Sequence, residues 1–123
     1  MRGLAFWFML CGVVAVLIGM AWGLRMAATH DHTMMPAHAH LNLVGFVSFA
    51  IFAFYYHLVP DAAEGRLPRL HLALSLLGLT VMVPGIALAL QERTEALAAG
   101  GATISALGML CFLTVVLRGA RTA

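Results

Sequence analysis

Lysine is missing altogether, and charged residues make up only 10% of the 123-residue chain. Seven arginines against five acids leave a formal net charge of +2, too small a balance to mark a nucleic-acid partner. Cysteine is scarce as well. Cys11 and Cys111 stand at opposite ends of the sequence, each inside an apolar run. Such residues read as small buried hydrophobes rather than as a disulfide framework. With 63% hydrophobic residues and a mean hydropathy of +0.97, a soluble domain is excluded.

What the chain does have is four long apolar runs, at roughly 4–24, 38–59, 69–90 and 97–117. Each has the ~20 residues that cross a ~30 Å hydrocarbon core at 1.5 Å per residue. The expected fold class is therefore all-α: a single four-transmembrane-helix bundle over 1–123, with no room for a separate soluble domain. Arg2 ahead of the first run also fits a secretory signal. That run is longer than a signal core, and Met20–Ala28 offers no convincing cleavage site, so a retained helix is expected. Pro36 reads as the opening turn of the second span and Pro60-Asp61 as its end. Tyr55 and Tyr56 are placed as interfacial anchors, and Pro84-Gly85 as a kink in the third span. Gly19-x-x-x-Gly23 and the run Ala98-Ala99-Gly100-Gly101, continued by Ser105 and Gly108, form small-residue faces suited to ordinary intramolecular packing.

The arginines give an orientation. Arg2, Arg66, Arg69, Arg118 and Arg121 fall on one side of a four-span plan, Arg25 and Arg93 on the other. Cationic loops stay in the cytoplasm, so both termini are expected there, in a bacterial inner membrane. The loop Met26–Ala37 then faces the periplasm. No Asp, Glu, Lys or Arg lies in the central part of any span, which argues against an ion-coupled transporter.

Histidine is left as the main resource for chemistry. Four of the six histidines fall between positions 30 and 40, as His30-Asp31-His32 and His38-Ala39-His40. An imidazole at the edge of a bilayer is costly unless it binds something. His38 and His40, two residues apart on a helix, point about 200° away from each other. They cannot chelate one metal from one helix face; they suit a helix wedged between two pockets, or simple capping in the polar interface. His30 and His32, beside Asp31, Met34 and Met35, form a donor mixture that could hold copper. His57 and His71 fall at the opposite membrane face, where a structural role is expected.

The second span reads His38-Ala-His40-Leu-Asn42-Leu-Val-Gly45-Phe46, then Tyr55-Tyr56-His57-Leu-Val-Pro60. This resembles haem-ligating helices of the catalytic subunit of haem–copper oxidases, particularly the nitric-oxide reductase and cbb3-type branch. There a ligand helix has His-x-Asn-Leu near its outer end, and a His-x-His helix serves two haems on opposite faces. The family's large subunit has twelve core helices in three groups of four, each with the ligand helix second. The resemblance implies a b-type haem protein, with His38 and His40 as axial ligands to haem iron. It implies pocket roles for Asn42 by hydrogen bonding and for Gly45 by close approach of a flat macrocycle, with Phe46 and Phe49 packing on it. Arg25, Asp31, His30 and His32 would hold propionates or support a ligand imidazole. The family's His-His dipeptide, ligand-helix tyrosine partner and proton-channel residues are missing. Electron transfer is therefore expected rather than oxygen or nitric-oxide reduction. No Cys-x-x-Cys-His occurs, so covalent attachment is not expected.

One protomer does not readily bring two axial imidazoles to one iron. A homotrimer would recreate the twelve-helix plan, with His40 of one copy and His38 of the next sharing each haem; a monomer using His40 and a loop histidine is the alternative. A quinone or an electron-transfer protein is the expected redox partner, within membrane lipid. Two other functions stay open. One is a copper-binding protein or oxidase assembly factor that uses the outer His/Met loop. The other is a haem-based gas or redox sensor.

Overall fold

In a computed structural model, residues 1–119 are described; Arg121 lies outside them, so its expected place beside the other arginines is not addressed. Four long helices follow one another: α1 over Gly3–Thr29, α2 over Met35–Leu58, α3 over Arg66–Leu90 and α4 over Ala96–Gly119. All four are long and apolar enough to cross a membrane, consistent with an integral membrane protein. No strand occurs among the described residues.

The spans match their expected places, and the ends differ. Helix α1 continues past Arg25 to Thr29, because Met26, Ala27 and Ala28 are good helix formers with nothing to stop them. His30 then closes the helix in the left-handed conformation, φ 56°. The connection shrinks to a few residues, and Pro36 sits in the first turn of α2 as expected. Helix α3 runs through Pro84 without a break in the helix.

Two kinds of contact hold the bundle. Between α3 and α4 the backbones touch: Gly78 lies against Ser105, Gly85 against Leu97 and Ala98, and Gly101 against the backbone of Met82. The small-residue face of α4 therefore serves packing within the chain. At the arginine-rich end, all four helices feed one aromatic cluster. Phe8 of α1 meets Phe49 and Phe52 of α2 edge-on at 5.5 and 5.4 Å. Phe52 in turn meets Phe112 of α4 at 4.6 Å, and the ring of His71 on α3 lies 4.9 Å from Phe8.

Tyr56 departs from the role its position suggests. It is not an interfacial anchor but a core residue, 2% exposed, whose hydroxyl is hydrogen-bonded to His71 Nδ1 at 2.9 Å. Its ring stacks on Phe8, which gives it more contact inward than lipid headgroups offer. Phe49, expected against a cofactor, is likewise core at 1% exposure. Both cysteines are free, Cys111 buried and Cys11 half-buried.

The glycines of α4 provide a paired test. A methyl at Gly101 would overlap the Met82 backbone, whereas Gly100 has open space around it. Gly101→Ala should destabilise the detergent-solubilised protein by about 1–3 kcal/mol. Gly100→Ala should be neutral or stabilising by up to about 1 kcal/mol. Equilibrium unfolding in mixed micelles measures both.

Candidate functional site

Three consecutive pieces build α2: an α-helical turn over Met35–His40, a π-helix over Leu41–Val47, and an α-helix over Ser48–Leu58. The π stretch ends at Ser48, whose amide and hydroxyl both donate to the carbonyl of Leu43, five residues back. Its purpose is visible in the buried stripe Ala37, Leu41, Gly45, Phe49 and Ala53, spaced by four throughout. On a regular α-helix four such steps drift by about 160° and would carry the stripe off the core. The wider π turn absorbs the excess residue and keeps the stripe on one side. A π segment directly behind two histidines is the kind of irregularity that accompanies functional sites. Nothing in the hydropathy pattern announces it, because the outward positions of this helix are apolar too.

This phase sends the two imidazoles apart, as their spacing predicts. The His38 ring turns toward α1. Its Nε2 accepts a hydrogen bond from Asn42 Nδ2 at 3.2 Å. Gly23 leaves room for the ring, since a Cβ there would stand 3.2 Å from His38 Cε1. Gly19, one turn away, leaves room for the Asn42 carboxamide, which an added methyl would overlap. The Gly19-x-x-x-Gly23 face thus receives one polar side chain per glycine. Two atoms in this contact, His38 Nδ1 and Asn42 Oδ1, are buried without a hydrogen-bond partner among the described residues.

His40 is exposed and points the other way. Its Nδ1 donates to the carbonyl of Pro36 at 2.7 Å. With the proton on Nδ1, Nε2 of this exposed ring keeps a lone pair that has no hydrogen-bond partner among the described residues. A ring oriented by a backbone carbonyl and offering Nε2 is the state in which histidine ligates metals.

The other expected site residues are scattered. Gly45 is packed between Ala15 and Leu79, so its missing side chain serves helix contact in the single chain. Phe46 is half-buried and Arg25 is exposed on α1. Asp31 is engaged within its own turn: its Oδ1 accepts from the Thr33 hydroxyl at 2.6 Å and the Thr33 amide at 3.0 Å. Those two bonds hold its carboxyl below the ordinary range, so the turn weakens only as pH falls through that lowered value. His30 and His32 are exposed in the loop. No group of three or more His, Cys, Asp or Glu side chains suited to a metal ion forms among the described residues.

His71 was expected to be structural, and it is fully buried, but its partner is Tyr56 rather than the exposed His57. Its Nε2 has no hydrogen-bond partner among the described residues, and its ring packs among Phe8, Phe52 and Phe112. Sequence reasoning had no means of pairing residues fifteen apart across a loop. No protein family, curated protein or solved structure matches the chain.

The Tyr56–His71 pair yields a double-mutant test. Tyr56→Phe leaves a buried imidazole nitrogen unsatisfied and should cost about 1–2 kcal/mol. Adding His71→Phe removes the second polar partner and should recover most of that loss. Unfolding in mixed micelles reads both; additive losses would mean that the hydrogen bond contributes nothing.

Proposed function

We propose that this chain is a membrane b-type haem protein whose histidine end ligates iron for electron transfer, in the manner of the haem-bearing helices of haem–copper oxidases. The observation that carries the reading is the exposed His40 imidazole, oriented by the Pro36 carbonyl with Nε2 free. That donor fits axial ligation without any change. His38 fits less directly, because its Nε2 is engaged with Asn42. The divergence of the two rings favours a haem shared between copies over one held inside a single bundle.

In this reading His40 of one copy and His38 of the next supply the two imidazoles, His38 releasing Asn42 to do so. Closed rotation of this head-to-tail contact gives a homotrimer with twelve helices. The haem supplies one-electron redox chemistry when bound, and two axial imidazoles leave no open position for a gas. Asn42 and Phe46 flank the ligands along α2, and Arg25 on α1 is the cation for a propionate. The arginine-rich end would face the cytoplasm of a bacterial inner membrane, the histidine end the periplasm. A quinone or a redox protein would exchange the electron.

A second reading has its own support. Because His40 is the one outward imidazole of the His38–His40 pair, a five-coordinate haem on His40 alone, suited to sensing a gas, matches the single-chain geometry without moving His38. Copper in the His30–His32 loop has less behind it, since no group of three or more His, Cys, Asp or Glu side chains forms among the described residues.

Spectroscopy separates these functions. The purified protein should give sharp α and Soret bands in a reduced-minus-oxidised spectrum, unmoved by carbon monoxide. His40→Ala should abolish them, and His38→Ala should leave a haem that binds carbon monoxide. A wild-type haem that already binds carbon monoxide selects the sensor. A colourless protein containing copper overturns both haem readings. The trimer predicts a mass of three 13.1 kDa chains in detergent; a haem-loaded monomer sinks it.

A further inference from the structure

The arginine-rich end carries a cleft that neither the helix packing nor the haem reading uses. It has a volume of about 820 Å³ and opens between the start of α1, the end of α2 and the start of α3. Its charged side chains are Arg2, Arg69 and Glu64; His57 and Tyr56 also line it, and Trp7 and Leu72 are among its apolar walls. Two guanidiniums against one carboxylate make it electropositive. Neither guanidinium has a hydrogen bond or ion pair among the described residues.

Backbone adds to the charge. The first turns of α1 and α3 contain no acidic residue, and neither helix has a side-chain cap. Each end therefore leaves free N–H groups and about half a positive charge near the cleft. Below the charged mouth the surface changes character. Trp7, Leu10, Val14 and Leu17 recur every three or four residues along one face of α1, all at least 40% exposed. The stripe begins at Trp7, roughly 7–8 Å along the helix from Arg2, where a tryptophan belt meets the headgroups.

From this juxtaposition we infer that the cleft is a binding site for an anionic phospholipid, its phosphodiester on Arg2 and Arg69 and an acyl chain along Trp7, Leu10, Val14 and Leu17. Charge complementarity selects the anion, and the apolar track continuous with it selects an amphiphile over a free ion. A basic pocket between transmembrane helices on the cationic side is where anionic headgroups are held. His57 adds a hydrogen-bonding group at the rim, and this gives a function to a histidine the bundle core does not use. The inference depends on insertion in a membrane and stands apart from the haem.

The test uses the full chain in detergent, with dioleoyl phosphatidylglycerol and dioleoyl phosphatidylcholine as competing probes. Native mass spectrometry should find phosphatidylglycerol retained, and the same lipid should raise the thermal midpoint where phosphatidylcholine does not. The double variant R2Q/R69Q should lose about 25-fold in apparent affinity, roughly fivefold per guanidinium near an anionic surface. R2K/R69K should keep the preference, and R93Q, at the other end, should behave as wild type. Equal retention of both lipids by the wild type overturns the assignment, and that comparison needs no variant to fold. So does a midpoint shift reproduced in full by inorganic phosphate, which would make the cleft a site for a soluble anion.

Discussion

The aromatic cluster of Phe8, Phe52, Tyr56, His71 and Phe112, with the buried hydrogen bond between Tyr56 and His71 inside it, is the contact that ties all four helices together. Lipid tails are as apolar as leucine, so hiding apolar surface does little to hold helices together in a membrane. Close packing and satisfied polar groups must do it instead. Phe8, Phe52, Tyr56, His71 and Phe112 bring in every helix, and the polar pair fixes how α2 and α3 rotate against each other. A slip of α2 would expose an imidazole and a phenol to hydrocarbon together.

The opposite end is built on another principle. There α1 carries glycines where α2 carries His38 and Asn42, so the two helices approach closely over a polar contact. His40 is left outside it. One helix therefore carries an anchored imidazole and a free one, and the π segment between them and the aromatic cluster determines which faces where.

Helix number, span position and the divergence of His38 and His40 were all readable from hydropathy, length and the 3.6-residue period. The four-residue recurrence of Ala37, Leu41, Gly45, Phe49 and Ala53 was also present in the sequence. It lacked contrast, because nearly every neighbour on α2 is apolar and any periodicity can be drawn through such a run. The burial of Tyr56 and its bond to His71 escaped for a related reason. Polar residues near Pro60 and Arg69 look interfacial, and only the third dimension brings them under Phe8. The carbonyl that orients His40 is a backbone group, invisible to any reading of side-chain types. Gly45 shows the reverse problem: a glycine suits a flat ligand and a neighbouring helix equally, and the fold places it against Ala15 and Leu79.

The π stretch over Leu41–Val47 also sets how the two ends of α2 are phased. It holds one residue more than a regular helix of that length would. Removing one residue there would turn the histidine end by about 100° relative to the aromatic end. Either His38 and Asn42 would leave the Gly19 and Gly23 face, or Phe52 and Tyr56 would leave the cluster.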